Sequence, residues 1–183
     1  MSLPRICVEA RRGPWLSVDE SFREVPHTDD PFISTRYRNS RDYAVDFLTP
    51  NRGSDEHASR PARMKALAGT GAQPLRHLDF LIREPERSVL LYGGGVPVTV
   101  PRAERFAVHK LIVAAERQNQ AKSAKDIEQA RLLIEALAER RPAELAFAWQ
   151  TAWGEGRGWR EKLESGRRRL PAEARERLAA ALR

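Results

Sequence analysis

One cysteine, Cys7, stands in a chain of 183 residues, so neither an intrachain disulfide framework nor a cysteine metal site can form. Long apolar runs are missing too. No stretch approaches the roughly 20 residues of a membrane span, and the mean hydropathy is −0.59. Arg11 and Arg12 are not followed by the apolar core of an export signal, so the cytoplasm is the expected location and no membrane partner is expected. No Ser-His-Asp or Cys-His set is visible, which leaves nucleophilic-triad chemistry without its residues. His109 has no second histidine at metal spacing and reads as a packed histidine. No internal repeat is found.

What is present is charge. The formal net charge is +7, the charged fraction 31% and the hydrophobic fraction 41%, enough apolar residues for one ordinary domain. A pI near 10.2 makes an anionic partner the natural expectation, whether nucleotide, RNA or DNA. The excess is arginine-led but dispersed, with one local run at Arg167, Arg168 and Arg169. Dispersed arginine by itself names no partner.

The hydrophobic pattern changes character along the chain. Ser17 to Glu20 has the spacing of a capping box and predicts a short helix over Val18 to Arg23, ended by Pro26. Phe32 to Arg38 and Tyr43 to Leu48 predict a hairpin around Asn39 to Asp42. Alternation in the second strand sets Asp46 on one face with the apolar Ala44 and Leu48. A carboxylate there is either solvated on an exposed face, paired, or bound to a cation. Leu78 to Ile82 reads as a short apolar strand. Val89 to Tyr92 and Val96 to Val100 predict a second hairpin, its turn at Gly93 to Gly95 and Pro97 on an edge. The triple glycine lacks a following Lys-Ser/Thr pair at phosphate-loop spacing and reads as a turn.

The chain is organised around Pro101 to Leu137. From Ala107 to Ala115 only His109 and Lys110 are not apolar, so Lys110 stands in a helix that otherwise wants burial. It must snorkel, form an ion pair, or meet an anion in a pocket. In the next helix Ile127, Ala130, Ile134 and Leu137 form the inward stripe, and Asp126 lies close to it. Ser123 and Asp126 also fit an S-x-x-D cap, which would explain the carboxylate without any site. Pro142 opens a helix with Leu145, Trp149, Ala152 and Trp153 inward; Trp159 to Leu163 gives a short helical turn, and Pro171 opens a last helix on Ala174, Leu178 and Leu182.

An ordered series of words then stands out: DESF from Asp19, YAVDFLTP from Tyr43, AQPLRHLDFLI from Ala72, LYGGGVPVTVP from Leu91, RFAVHKLIVA from Arg105, the pair Lys125-Asp126, and GWREKL from Gly158. From about Leu16 to Arg160 this series resembles a bacterial nucleotidyltransferase-fold family within the DNA polymerase beta-like superfamily. It is distantly similar to the abortive-infection toxin nucleotidyltransferases. The resemblance implies transfer of a nucleotidyl group from an NTP to a hydroxyl acceptor on RNA (tRNA included), protein or a small molecule, with Mg2+ as the assisting ion. Asp46 matches the third metal-binding carboxylate of that superfamily. Lys110 matches the lysine that takes triphosphate charge, and Lys125 and Asp126 match residues expected to line the same cleft.

The resemblance also marks an expected departure. The family's Gly-Ser motif and Asp-x-Asp strand precede the DxSF segment, and nothing before Asp19 has either form. Catalysis is therefore expected to be incomplete in this chain, with a preceding segment, a homodimer or another partner supplying the remaining carboxylates. The alternative is a non-catalytic module that retains the fold to bind nucleotide, RNA or protein. The expected architecture is α+β: a small, mostly antiparallel sheet in residues 1–101, a partial nucleotidyltransferase fold, and a helical bundle in residues 102–183.

Overall fold

A computed structural model describes residues 19–51, 60–65 and 70–183. The chain is α+β, with short, mostly antiparallel sheets followed by a helical C-terminal part. It divides into two compact units, one ending at Leu78 and the other running from Asp79 to Arg183.

The first unit is built from β1 (Arg23–Pro26), β2 (Ser34–Arg38), β3 (Ala44–Asp46), β4 (Leu48–Pro50), β5 (Ala62–Arg63) and β6 (Gly71–Leu75). β1, β2 and β3 form an antiparallel sheet, and β6 pairs in parallel with β4 and antiparallel with β5. The expected hairpin is therefore present, with Arg36 opposite Asp46 and Tyr37 opposite Val45. Phe47 links the two sheets through its backbone: its N–H donates to Thr35 O and its carbonyl accepts from Gln73 N–H, each at 2.8 Å. Its ring meets the buried Tyr37 edge-on at 5.8 Å. Gly71 is required at that junction, since a Cβ would come 3.1 Å from Ser34 O and closer still to the Ile33 side chain.

The helix expected over Val18 to Arg23 lies partly outside the described residues, and from Asp19 to Phe22 the chain forms a turn instead. Asp19 explains it. Its Oδ1 accepts from Ser21 N–H at 2.9 Å and Ser21 Oγ at 2.7 Å, and its Oδ2 accepts from Asn39 Nδ2 at 2.9 Å. A short acid bonding backbone two residues on favours a turn over a helix.

In the second unit, α1 (Leu78–Ile82, beginning at the unit boundary) precedes β7 (Glu86–Leu90) and β8 (Val96–Val100), a two-stranded antiparallel ribbon. The run read as a strand at Leu78 to Ile82 is thus a helix, and Phe80 from it is almost fully buried. Five helices complete the chain: α2 (Ala103–Glu116), α3 (Gln120–Arg140), α4 (Pro142–Gly154), α5 (Arg157–Arg168) and α6 (Ala172–Ala181). Their core joins Leu111 and Ile112 of α2, Ile127 and Ile134 of α3, Leu145 and Trp149 of α4, Leu163 of α5 and Leu178 of α6. α5 is longer than its sequence pattern suggested because it buries a glycine where an apolar side chain would be sought. Gly166 lies against α2, and a Cβ there would stand 2.8 Å from the Leu111 carbonyl carbon.

Candidate functional site

Lys110 and Asp126 meet between α2 and α3. Lys110 lies one helical turn before Ala114, and Asp126 lies two turns into α3, so neither is a terminal residue. Lys110 Nζ donates to Asp126 Oδ1 at 2.6 Å, and Arg117 Nε donates to Oδ2 at 3.1 Å. The carboxylate side chain is 5% exposed, against 18% for Lys110 and 42% for Arg117. Burial alone would raise the Asp126 carboxyl, but the hydrogen bonds from Lys110 and Arg117 outweigh it and hold the group below the usual carboxylate range. The Lys110 ammonium also stands 5.1 Å from the centre of the Phe106 ring, within cation–π reach. Lys125 is exposed.

The cap expected at Ser123 and Asp126 belongs to Asn119, whose side-chain oxygen accepts from Lys122 N–H at 3.0 Å. Ser123 instead donates from Oγ to Ala114 O at 2.5 Å, near the C-terminus of α2. Arg169, just past α5, donates to the same carbonyl at 2.8 Å and to Ser123 Oγ at 2.7 Å. A guanidinium at the carbonyl end of a helix is favoured by the partial negative charge there. The arrangement fixes the turn between α2 and α3 and thereby the Lys110–Asp126 geometry.

Asp46 occupies a different environment, within the first unit. Its Oδ1 accepts from Arg36 Nε at 2.5 Å and its Oδ2 from Arg36 Nη2 at 3.1 Å, a bidentate pair across the β2–β3 ladder. Both side chains are nearly half exposed, so the pair contributes little to stability.

Sequence reasoning missed Arg36, Arg117 and Arg169. Arg117 was accessible in principle, seven residues beyond Lys110 and the first residue past the end of α2. Arg36 follows from hairpin register. Arg169 carries no such signal, since it reaches Ala114 across 55 residues of chain.

Asp46 is the one carboxylate matched to a metal-binding role, and the cation it meets here is the protein's own Arg36. Both oxygens of Asp46 face one guanidinium, and both of Asp126 face Lys110 and Arg117. Among the described residues no group of three or more acidic, histidine or cysteine side chains could hold a metal ion. What the second unit's cluster offers is cationic: one buried carboxylate orients two cations, leaving one positive charge in excess. Such an arrangement suits an anion.

A family model described as Nucleotidyltransferase matches residues 15–154. No curated protein and no solved structure matches the chain. Among the described residues no helix is long and apolar enough to cross a membrane.

Proposed function

The chain belongs to the nucleotidyltransferase family, and on that premise we propose that it binds a nucleoside triphosphate through Lys110 and Lys125 and serves nucleotidyl transfer to a hydroxyl acceptor. The observation that carries the reading is Lys110, held 2.6 Å from a buried carboxylate yet still partly exposed. Asp126 acts on this reading as a positioning residue, fixing the ammonium so that little side-chain entropy is lost when phosphate arrives. Arg117 shares the carboxylate and keeps it from cancelling both cations. In the transfer step the acceptor oxygen bonds to the α-phosphorus, the α–β anhydride bond breaks and pyrophosphate leaves. The phosphate-bound lysine stabilises that leaving charge, and the acceptor proton passes to solvent.

Members of this family use NTP with a divalent ion, Mg2+ by resemblance, but no step is routed through one, because the carboxylates among the described residues do not form a site for it. The metal-facing role matched to Asp46 stays a proposal that requires Arg36 to release it. The remaining carboxylates would come from outside the described residues, a second copy of the chain included. RNA is the acceptor proposed first, given the net charge of +7.

A second reading, a nucleotide-binding module without transfer, is favoured by one observation: the bidentate hold of Arg36 on Asp46. One experiment separates the two. The protein is incubated with each labelled NTP, Mg2+ or Mn2+, and total RNA, beside Asp46→Asn and Lys110→Ala. Transfer lost in both variants supports the first reading. Transfer that survives both sinks the site assignment. No transfer, with NTP-induced thermal stabilisation lost in Lys110→Ala, establishes the binding module.

A further inference from the structure

The run from Arg157 to Arg169, beyond the residues matched by the family model, carries six cations against two carboxylates. Both carboxylates are already neutralised: Glu161 by Arg157 at 2.7 Å and Glu164 by Arg167 at 2.7 Å. Among the described residues Arg160, Arg168 and Arg169 have no carboxylate partner. Arg160 spends one N–H on Trp153 O at 2.9 Å and Arg169 binds Ala114 O and Ser123 Oγ, all neutral acceptors. These three arginines line one groove of about 610 Å³ with Glu161, Glu164 and Ser165. Arg160 and Arg168 are eight residues apart on α5, so they follow one face of the helix.

Beside the groove lies a cavity of about 360 Å³, lined by Trp149, Gln150 and Trp153 among others, and Glu164 borders both. Trp149 and Trp153 are stacked with centroids 6.2 Å apart, and the Arg160 guanidinium stands over the Trp153 ring at 5.7 Å. Trp149 is buried behind Trp153, which is itself partly exposed, so a cationic groove adjoins one accessible indole and one amide, a combination suited to a single strand: phosphates on the arginines, a base against Trp153. A free phosphate would use only the first half of it.

We propose that the α5 groove and the tryptophan cavity bind single-stranded nucleic acid. The inference deepens the transfer reading by naming the acceptor's class and so rests on it, but its test needs neither NTP nor metal, so the two fail separately. Loss of transfer with intact strand binding would strike only the transfer reading.

The test is fluorescence anisotropy with a labelled mixed-sequence 12-mer RNA across a salt series. In Arg160→Gln/Arg168→Gln the affinity is expected to fall about tenfold at low salt, and the slope of log K against log salt to lessen by about 1.4, two phosphate contacts at about 0.7 each. The charge-matched Arg87→Gln/Arg175→Gln should stay within about twofold of the parent. Equal losses in the two pairs would reduce the effect to net charge and overturn the proposal, as would no loss in the first pair. An abasic strand of the same length should bind more weakly than the RNA, with the difference abolished in Trp153→Ala. Abasic and natural strands binding alike, or tripolyphosphate displacing the RNA at equal phosphate concentration, would overturn the base-binding half and leave a phosphate site only.

Discussion

Asp126 accepts from Lys110 at 2.6 Å and from Arg117 at 3.1 Å, so a single buried carboxylate governs two cations, one on the helix packed against it and one just past that helix's end. The asymmetry of that arrangement predicts unequal mutants. Asp126→Ala leaves the partly buried Lys110 without its counter-charge and is expected to cost about 3 kcal/mol of unfolding free energy. Lys110→Met leaves Arg117 to satisfy the carboxylate and should cost less than half as much, while abolishing stabilisation by NTP. Urea denaturation with and without NTP checks both.

The same carboxylate sets a pH dependence. Its folded pKa lies below the ordinary value, so between the two values the unfolded chain binds more protons and stability rises with pH. Its contribution is therefore complete above about pH 4, the unfolded value, and is lost as pH falls through the folded value. Asp19, held down to about 2 by hydrogen bonds from Ser21 and Asn39, adds the same sign. Denaturation midpoints should be flat from pH 8 to 5 and fall below 4, with a shallower fall in Asp126→Asn. An unchanged slope in that variant would remove Asp126 from the explanation.

Two glycines of α5 should respond in opposite directions. Gly158→Ala meets nothing within 4 Å and should stabilise by about 0.5 kcal/mol through helix propensity. Gly166→Ala drives a methyl into the backbone of Leu111, which cannot give way as a flexible side chain would. A loss of about 3 kcal/mol is expected, at the upper end of overpacking costs. Thermal melts of the two single variants make the comparison.

How much of this was legible beforehand depended on whether a feature lives in one element or between elements. The stripe Ile127, Ala130, Ile134 and Leu137 is visible by spacing, and all four are buried. So is the oddity of Lys110. Leu78 to Ile82 was not decidable, because a five-residue run with four apolar positions is too short to separate the two periods and only the packing of Phe80 selects the helix. β6 hid behind Gly71 and Pro74, residues that propensity assigns to turns, yet its place beside β4 and Ile33 needs a residue without a side chain at its start. The cap was misplaced by four residues since Asn119 and Ser123 are both good capping residues, and the deciding fact is that Ala114 O takes the Ser123 hydroxyl. Partners such as Arg169 come from tertiary packing and leave no trace in local pattern.

Arg169 makes that last point testable. It supplies a guanidinium to the Ala114 carbonyl and to Ser123 Oγ, close to the turn that sets Lys110 against Asp126, without touching either. Removing it leaves Ser123 as the carbonyl's side-chain donor, so Arg169→Ala should lower stability by about 1.5–3 kcal/mol, the scale of a charge-assisted hydrogen bond. Arg169→Lys keeps the charge but cannot reach both acceptors in one plane, and should recover only part of the loss. If Arg169 positions Lys110 through this turn, both variants will weaken NTP stabilisation in the same order as they lose folding stability, whereas Arg168→Ala, at the exposed last residue of α5, will leave NTP stabilisation intact. Equal NTP stabilisation in Arg169→Ala and the parent would confine Arg169 to holding the helix end.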